Sequence, residues 1–187
     1  PGLVINEWMA LNQSTVADPA DGRFDDWIEL YHPGLPTGDL TGWFLSDDPE
    51  DPFKFQIPAG FEVPAGGYLM VWADGEPAQN DPLVRPDLHV PFKLSAEGES
   101  LLLSAPDGTL IDRVDFGRQS PDKTMGRIGA EVYALASPSP GATNGSAAIN
   151  PEATFTIEGD LLTFTVLTEP GFLYLGEISA DLVTWEP

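Results

Sequence analysis

The chain of 187 residues contains no cysteine, few basic residues and no long apolar run. Without cysteine it forms no disulfide, no zinc–thiolate site and no thiol nucleophile. No apolar run reaches the roughly 18 to 20 residues that a membrane-spanning helix needs, so we expect no membrane span. The first residues show neither the basic nor the apolar region of a signal peptide. We expect any export signal to have been removed or to lie outside this sequence.

Basic residues are the second shortage, because 8 lysines and arginines stand against 30 aspartates and glutamates, giving a formal charge of −22. Such a field repels phosphate backbones and anionic lipid surfaces, and phosphate binding needs several unopposed cations. The largest concentration of basic residues is sparse and is interrupted by two aspartates, Asp115 and Asp122: Arg113, Arg118, Lys123 and Arg127. We therefore expect no nucleic-acid partner. Acidity of this kind suits saline or calcium-rich surroundings outside a cell, where counterions screen self-repulsion.

Glycine and proline are abundant, with 19 of each scattered between apolar runs without a three-residue period. This pattern excludes a collagen-like structure and indicates turns between many short strands. In "QIPAGFEVPAGGYLMVWADG" the phrase Pro-Ala-Gly occurs twice, and each copy ends an extended segment before the chain reverses. The apolar run Tyr68–Ala73 that follows is too short for an ordinary helix and fits a strand covered on both faces.

Apolar patterns bounded by Gly, Pro, Asp or Asn predict strands along most of the chain: Leu3–Ala10, Asp26–His32, Gly42–Ser46, Phe53–Ile57, Tyr68–Ala73, Val90–Leu94, Ser100–Ser104, Leu110–Phe116 and Thr124–Ile128. No window has helical periodicity, and strands spaced by roughly 8 to 16 residues indicate an all-β Greek-key sandwich or barrel. The Asp107-Gly108 pair predicts a tight hairpin between Leu101–Leu103 and Leu110–Phe116.

The character of the sequence changes near residue 145. We predict a first domain over residues 1–145, a linker over 146–152 and a partial second β module over 153–187, because "ALASPSPGATNGSAAINPE" has no periodicity. In the second module, alternating apolar residues flank a Gly159-Asp160 turn and predict another hairpin: Phe155, Ile157, Leu162, Phe164 and Val166. Three or four strands are too few for an independent sandwich, so we expect this module to be truncated at Pro187.

Five ordered segments resemble the lamin tail domain family in its bacterial secreted form: "LVINEWMALN", "DWIELYHPG", "DLTGWFLSDDPEDPFKFQIPAGFEVPAGGYLMVWADG", "LHVPFKLSAEGESLLLSAPDGTLIDRVDFG" and "SPSPGATNG". The resemblance covers about Leu3 to Gly145. It implies an immunoglobulin-like β-sandwich. The chain shows no sustained heptad rod of the kind that a nuclear lamin carries, which favours the bacterial form. The ending "ISADLVTWEP" resembles the S-x-D-L-x-x-W ending of repeat modules in such bacterial proteins.

The resemblance implies a domain without catalytic activity, found in large exported proteins. We therefore expect a non-catalytic extracellular or cell-surface module that acts as a spacer or interaction domain. Its expected partners are a protein or a cell-surface or matrix component, and other domains of the same polypeptide. The alternative is an accessory domain that positions a hydrolase, nuclease, phosphatase or spore-coat-kinase-like domain on the same polypeptide.

Two acidic loops are the candidates for calcium, which takes about six to eight hard oxygen ligands. The loop "SDDPEDP" carries four acidic side chains: Asp47, Asp48, Glu50 and Asp51. A solvated acidic turn is the favoured alternative, because the loop lacks regular calcium-loop spacing with a central glycine. The stretch "ADPADGRFDD" also lacks the rhythm of an EF-hand, so we assign none of its aspartates as ligands: Asp18, Asp21, Asp25 and Asp26. No other cofactor is expected.

Two glutamates lie within predicted apolar strands, Glu7 and Glu29. An unpaired buried charge costs several kcal/mol, so each should be hydrogen-bonded or turned to a sheet edge, and a structural role is favoured over acid–base catalysis. The histidines, His32 and His89, are 57 positions apart in a chain without a G-x-S-x-G elbow, so no catalytic triad is expected. We assign no catalytic residue.

Four tryptophans lie in predicted strands: Trp8, Trp27, Trp43 and Trp72. An indole face can stack on a sugar ring, because it buries a large area against the apolar side of the sugar. Strand positions favour core packing over carbohydrate binding for all four.

Overall fold

The computed structural model describes residues 2–34, 36–135 and 137–145, together with the strand residues 152–158 and 161–167 as backbone alone. The strands of the first part are β1 (Val4–Met9), β2 (Asp26–Tyr31), β3 (Gly38–Asp39), β4 (Phe44–Ser46), β5 (Phe55–Gln56), β6 (Glu62–Val63), β7 (Tyr68–Ala73), β8 (Leu88–His89), β9 (Gly98–Ser104), β10 (Leu110–Gly117), β11 (Met125–Ile128) and β12 (Glu131–Ala134). A single turn of 3₁₀ helix, Pro77–Gln79, precedes β8. In the described residues no helix is long and apolar enough to cross a membrane.

Two sheets form the sandwich. One has six strands in the order β12-β11-β1-β2-β7-β8 and the other has four in the order β10-β9-β4-β5, while β3 and β6 form a small ribbon. Every pairing in the two sheets is antiparallel except β7 with β8, which is parallel. The core lies between the sheets and contains large apolar side chains with almost no exposure: Ile5, Trp8, Ile28, Leu30, Leu45, Phe61, Val71, Leu88 and Leu103.

The six-stranded sheet is covered on its outer face as well. Residues alternate across a strand, so the core-facing Ile28 and Leu30 place Trp27 on the opposite face. There Trp27 packs with Met9 and Trp72 in a second buried cluster. This coverage explains why β7 is apolar throughout, as predicted for Tyr68–Ala73.

The paired Pro-Ala-Gly phrases end strands as the sequence predicts. Gly60 and Gly66 adopt φ values of +99° and +67°, which side chains with a Cβ rarely adopt. The first turn lies between β5 and β6, and the second joins β6 to the buried strand β7.

The predicted strand Val90–Leu94 is wrong. The strand at this place is β8, which ends at His89, and beyond it only an isolated bridge joins Lys93 to Asp74. Val90, Phe92 and Leu94 are nevertheless buried at alternate positions in the core. Pro91 lacks a backbone donor, and alternate burial by itself does not supply a partner strand. Four short strands were not predicted: β3, β6, β8 and β12.

The remaining strand predictions are confirmed to within a few residues at their ends. The second hairpin also has the predicted form: β13 (Glu152–Glu158) pairs antiparallel with β14 (Leu161–Leu167), and Phe155 lies opposite Phe164. The domain limits 1–145, 146–152 and 153–187 stay predictions.

Candidate functional site

A segment that we call the strap, residues 137–145, crosses the outer face of the six-stranded sheet. Ser139 donates hydrogen bonds to the Glu7 carboxylate from its backbone at 3.0 Å and its hydroxyl at 2.8 Å. The backbone N–H of Gly141 donates to Glu29 Oε2. Asn144 Nδ2 donates to the backbone oxygen of Arg127 at 2.9 Å. The strap thus binds the sheet through polar groups of β1, β2 and β11.

Glu7 and Glu29 lie opposite each other in the register of β1 and β2. A bulge between Ile5 and Glu7 places Asn6 beside them, and Asn6 Nδ2 donates to Glu29 Oε1 at 2.7 Å. Burial raises the pKa of Glu29 from 4.5 to about 7, although hydrogen bonds from Gly141 and Asn6 lower it. Burial also raises the pKa of Glu7, against hydrogen bonds from Ser139. The structural role expected from the sequence agrees with these contacts.

A glycine makes room for the strap. A Cβ on Gly126 of β11 would lie 2.5 Å from Asn144 Nδ2, 2.8 Å from a Leu135 methyl carbon and 3.0 Å from the backbone oxygen of Asn6. Real Cβ atoms essentially never make contacts under 3.0 Å, so Asn144 could not reach its acceptors over a larger residue.

A second group of polar side chains surrounds His89, whose side chain is 0% exposed. His89 Nδ1 lies 2.6 Å from Asp74 Oδ2 and 3.7 Å from Asp18 Oδ2. Its other nitrogen, Nε2, lies 3.3 Å from Asp87 Oδ2. We call these four residues the His89 cluster: Asp18, Asp74, Asp87 and His89. All four are buried.

The local structure holds the His89 cluster firmly. Asn80 clamps the backbone of His89, accepting from its N–H at 2.7 Å and donating to its carbonyl at 2.8 Å. Trp72 Nε1 donates to Asp87 Oδ2 at 3.1 Å. In β7, Ala73 faces the core, so its neighbours Trp72 and Asp74 face the outer side of the sheet. The loop that carries Asp18 lies on the same side of the sheet and brings Asp18 Oδ2 to 3.7 Å from His89 Nδ1.

Two groups of side chains among the described residues offer ligand atoms close enough to hold one metal ion. One ligand atom from each of Asp18, Asp87 and His89 lies within 4.8 Å of the other two. The same holds for Asp18, Asp21 and Asp25, of which Asp18 is buried and Asp21 exposed. Burial raises the pKa of Asp18, which the contact with His89 and a hydrogen bond from Ala20 lower.

Sequence reasoning singled out the acidic loop around Asp18 but did not connect it with His89, and it missed Asp74 and Asp87. Asp74 directly follows the apolar strand β7, and Asp87 lies in the loop before β8. No local spacing joins these residues to Asp18, because β7 and β8 meet the loop only in the folded chain.

In the other acidic loop, the carboxylates of two of the four calcium candidates, Asp47 and Asp48, have partners within the chain. Lys54 Nζ lies 2.6 Å from Asp47 Oδ1. Asp48 Oδ1 accepts from the backbone of Glu50 at 2.9 Å, and Ser46 Oγ donates to the backbone oxygen of Asp51 at 2.7 Å. Within the described residues, no metal-sized group includes this loop. Calcium binding at Asp47, Asp48, Glu50 and Asp51 stays an untested prediction.

The other histidine and the tryptophans have contacts of a structural kind. His32 Nε2 lies 2.8 Å from the backbone oxygen of Pro36. In the part of the chain that the structure describes, neither histidine ring hydrogen-bonds to a hydroxyl group. Trp8, Trp27 and Trp72 are buried, and Trp43 is partly buried against the core, in agreement with core packing.

Three of the four basic residues named in the sequence analysis are paired with acids. Arg113 lies 2.7 Å from Asp115, and Arg127 lies 2.8 Å from Asp112. Arg118 lies 3.6 Å from Glu97. These pairings leave little unopposed positive charge for a polyanion.

Two packed sheets with a strap bound across the outer face define an all-β, immunoglobulin-like sandwich module. The family model of the Lamin Tail Domain matches residues 1–118, and the chain belongs to this family. It is a family of non-catalytic, interaction-type domains with an immunoglobulin-like fold. The match ends before β11, although β11 continues the same sheet through its pairing with β1. A search of curated proteins found no match.

Proposed function

We propose that this chain is a non-catalytic, extracellular spacer or interaction module of a larger bacterial multidomain protein. The observation that carries the proposal is that the buried carboxylates of two family-like segments, "LVINEWMALN" and "DWIELYHPG", bind the strap. Glu7 and Glu29 bind the strap, so they stabilise the module and do not line an open cleft. Membership of the family supports the same role.

The charge supports an extracellular position for the module. At −22 the surface stays hydrated and repels anionic membranes and nucleic acids. The partner that fits is a protein or a cell-surface component with exposed cations. Fractionation of producing cells, with surface proteolysis of intact cells, tests the location. Recovery of the protein in the cytoplasmic fraction would contradict it.

Activity assays test the absence of catalysis. We expect no turnover of generic esters, phosphate esters or nucleic acids above the rate without protein, because nucleophile, base and oxyanion donors do not converge in the described residues. The matched variant is His32→Ala, which removes a half-buried ring. Turnover that follows the protein through purification and disappears in His32→Ala would refute the proposal.

Deletion within the natural gene product separates a spacer from an accessory domain. If the module is a spacer, removing it changes reach or surface display, and any linked enzyme keeps its rate on small soluble substrates and on surface-bound ones alike. A selective loss of activity on surface-bound substrate would favour the accessory role.

A further inference from the structure

Two buried polar atoms of the His89 cluster lack a hydrogen-bond partner: Asp18 Oδ2 and His89 Nε2. Both residues are 0% exposed, so bulk water does not replace the missing partners. The other oxygen of Asp18, Oδ1, accepts from the backbone of Ala20 at 2.7 Å. A buried polar atom without a partner pays its full desolvation penalty, and native proteins rarely keep one without a ligand, ion or water.

The contact with Asp74 determines which nitrogen of His89 is free. A carboxylate oxygen 2.6 Å from Nδ1 is a strong acceptor, so Nδ1 donates and the neutral ring keeps a lone pair on Nε2. This lone pair faces Asp87 Oδ2 at 3.3 Å without a hydrogen bond. That oxygen already accepts from Trp72. Two lone pairs this close repel each other unless a positive charge lies beside them.

The charges of the His89 cluster do not balance. The cluster contains three carboxylates. Within the described residues, Arg85 is their one ion-pair partner besides His89, and its Nε lies 3.9 Å from Asp87 Oδ1. Buried charges require closer compensation than this. Either a proton on Nε2 or a metal ion would supply positive charge at the right place.

We propose that Asp18, Asp87 and His89 bind one divalent transition-metal ion and that Asp74 orients His89 through Nδ1. One ligand atom from each residue lies within 4.8 Å of the other two, and both unpartnered atoms belong to residues of this set. One imidazole with carboxylates suits Zn²⁺ or Mn²⁺, whereas Ca²⁺ and Mg²⁺ prefer oxygen alone. A carboxylate behind the ligating histidine is the usual partner that fixes its tautomer.

Binding would join parts of the chain that are distant in sequence. Asp18 lies in the loop between β1 and β2, while Asp87 and His89 lie at β8. A metal ion between them would fasten this loop to the sheet. The chain has no cysteine, so the ion would serve as the cross-link that a disulfide gives other exported domains.

Metal binding to the full, untagged chain tests the proposal. The chain is stripped with a chelator and dialysed. Zn²⁺ is then titrated to beyond one equivalent while the melting temperature is followed, and retained metal is measured after desalting. We expect one Zn²⁺ per chain and a melting temperature that stops rising at one equivalent. Nitrogen NMR of labelled histidine should show Nδ1 of His89 protonated and Nε2 shifted by the metal.

Asp18→Asn is the decisive variant, because an amide oxygen can keep the bond to Ala20 while the ligand charge is lost. We expect at least a tenfold weaker affinity in competition with a chromophoric chelator. Asp21→Asn is the matched control in the same loop, and its affinity should stay within twofold of the parent.

Three outcomes would overturn the proposal. The first is no retained metal together with NMR signals of an imidazolium, which means that a proton fills the site. The second is equal zinc affinity in Asp18→Asn, which places the metal elsewhere. The third is binding of Ca²⁺ in preference to Zn²⁺ with loss in Asp21→Asn, which assigns the ion to Asp18, Asp21 and Asp25.

Discussion

Glu29 shows how folding changes the chemistry of a single residue. In the unfolded chain its carboxyl group is in water, whereas in the folded chain it is 1% exposed under the strap. Burial raises its pKa to about 7, because few groups replace the lost water. Between pH 4.5 and 7 the folded chain therefore binds more protons at Glu29 than the unfolded chain does.

This difference in proton binding makes the free energy of unfolding fall as the pH rises. The contribution of Glu29 to stability is full below pH 4.5 and is lost as the pH rises through about 7, on the order of 3 kcal/mol. We expect the free energy of unfolding of Glu29→Gln to depend less on pH in this window, with any constant cost of the amide leaving the slope unaffected. Denaturant melts at fixed ionic strength measure the slope. Asp26, whose pKa burial raises to about 6, should leave a residual slope in both proteins. Equal slopes would contradict the prediction.

Gly98 illustrates a steric limit at one residue. It has φ +103°, and a Cβ there would lie 2.7 Å from the Cα of Gly117, its partner in β10. We expect Gly98→Ala to destabilise the protein by about 2 to 4 kcal/mol, because backbone cannot move aside cheaply. Gly117→Ala is the control, since nothing lies within 4 Å of a Cβ at that position. Thermal melts in which the two variants lose similar stability would rule this explanation out.

At the scale of elements, the strap supplies donors to carboxylates of two strands. Without residues 137–145, Glu7 would lose its bonds from Ser139 and Glu29 its bond from Gly141. Buried carboxylates without donors are costly, so the strap belongs energetically to the sandwich although the family match ends at residue 118.

Two truncations test this role of the strap. A chain that ends at Gly145 should keep a cooperative thermal transition, because the strap and its hydrogen bonds to Glu7 and Glu29 remain. A chain that ends at Leu135 should melt at a clearly lower temperature, most strongly at a pH above 7, where Glu29 loses its proton. A molten or insoluble chain 1–145 would show that the later hairpin belongs to the first core.

At the scale of the whole molecule, the excess of acidic side chains makes the folded chain repel itself. With 30 acidic and 8 basic residues, the folded state confines like charges that the unfolded chain keeps farther apart. Salt screens these charges to within about 10 Å or less and should stabilise the fold without regard to which loop is intact.

Melting temperature against salt and calcium tests the screening account. We expect NaCl and KCl to raise it nearly alike, and calcium at constant ionic strength to add at most a weak effect in protein freed of transition metals. Asp47→Asn and Asp48→Asn should give the same calcium curve as the parent. A saturable rise at micromolar calcium that vanishes in these variants would make the loop Asp47–Asp51 a metal site.

The sequence by itself determined the all-β class, most strands and the family. These depend on local patterns, such as the alternation in Leu110–Phe116, the turn at Asp107-Gly108 and the run Tyr68–Ala73, which a short window records completely. The same locality explains the error at Val90–Leu94. Val90, Phe92 and Leu94 are buried at alternate positions, as in a strand, but this pattern holds no information about whether a partner strand is present.

Only the tertiary structure decided which polar groups meet. Asp18, Asp74 and His89 come from a loop and the ends of two strands, and their approach depends on the packing of β7 against β8 and on the path of the loop over the sheet. Strap residues likewise hydrogen-bond to Glu7 and Glu29, which are more than 100 residues away in the sequence. Such contacts are set by chain closure and the burial of apolar surface, and the spacing of the polar residues along the chain does not encode them.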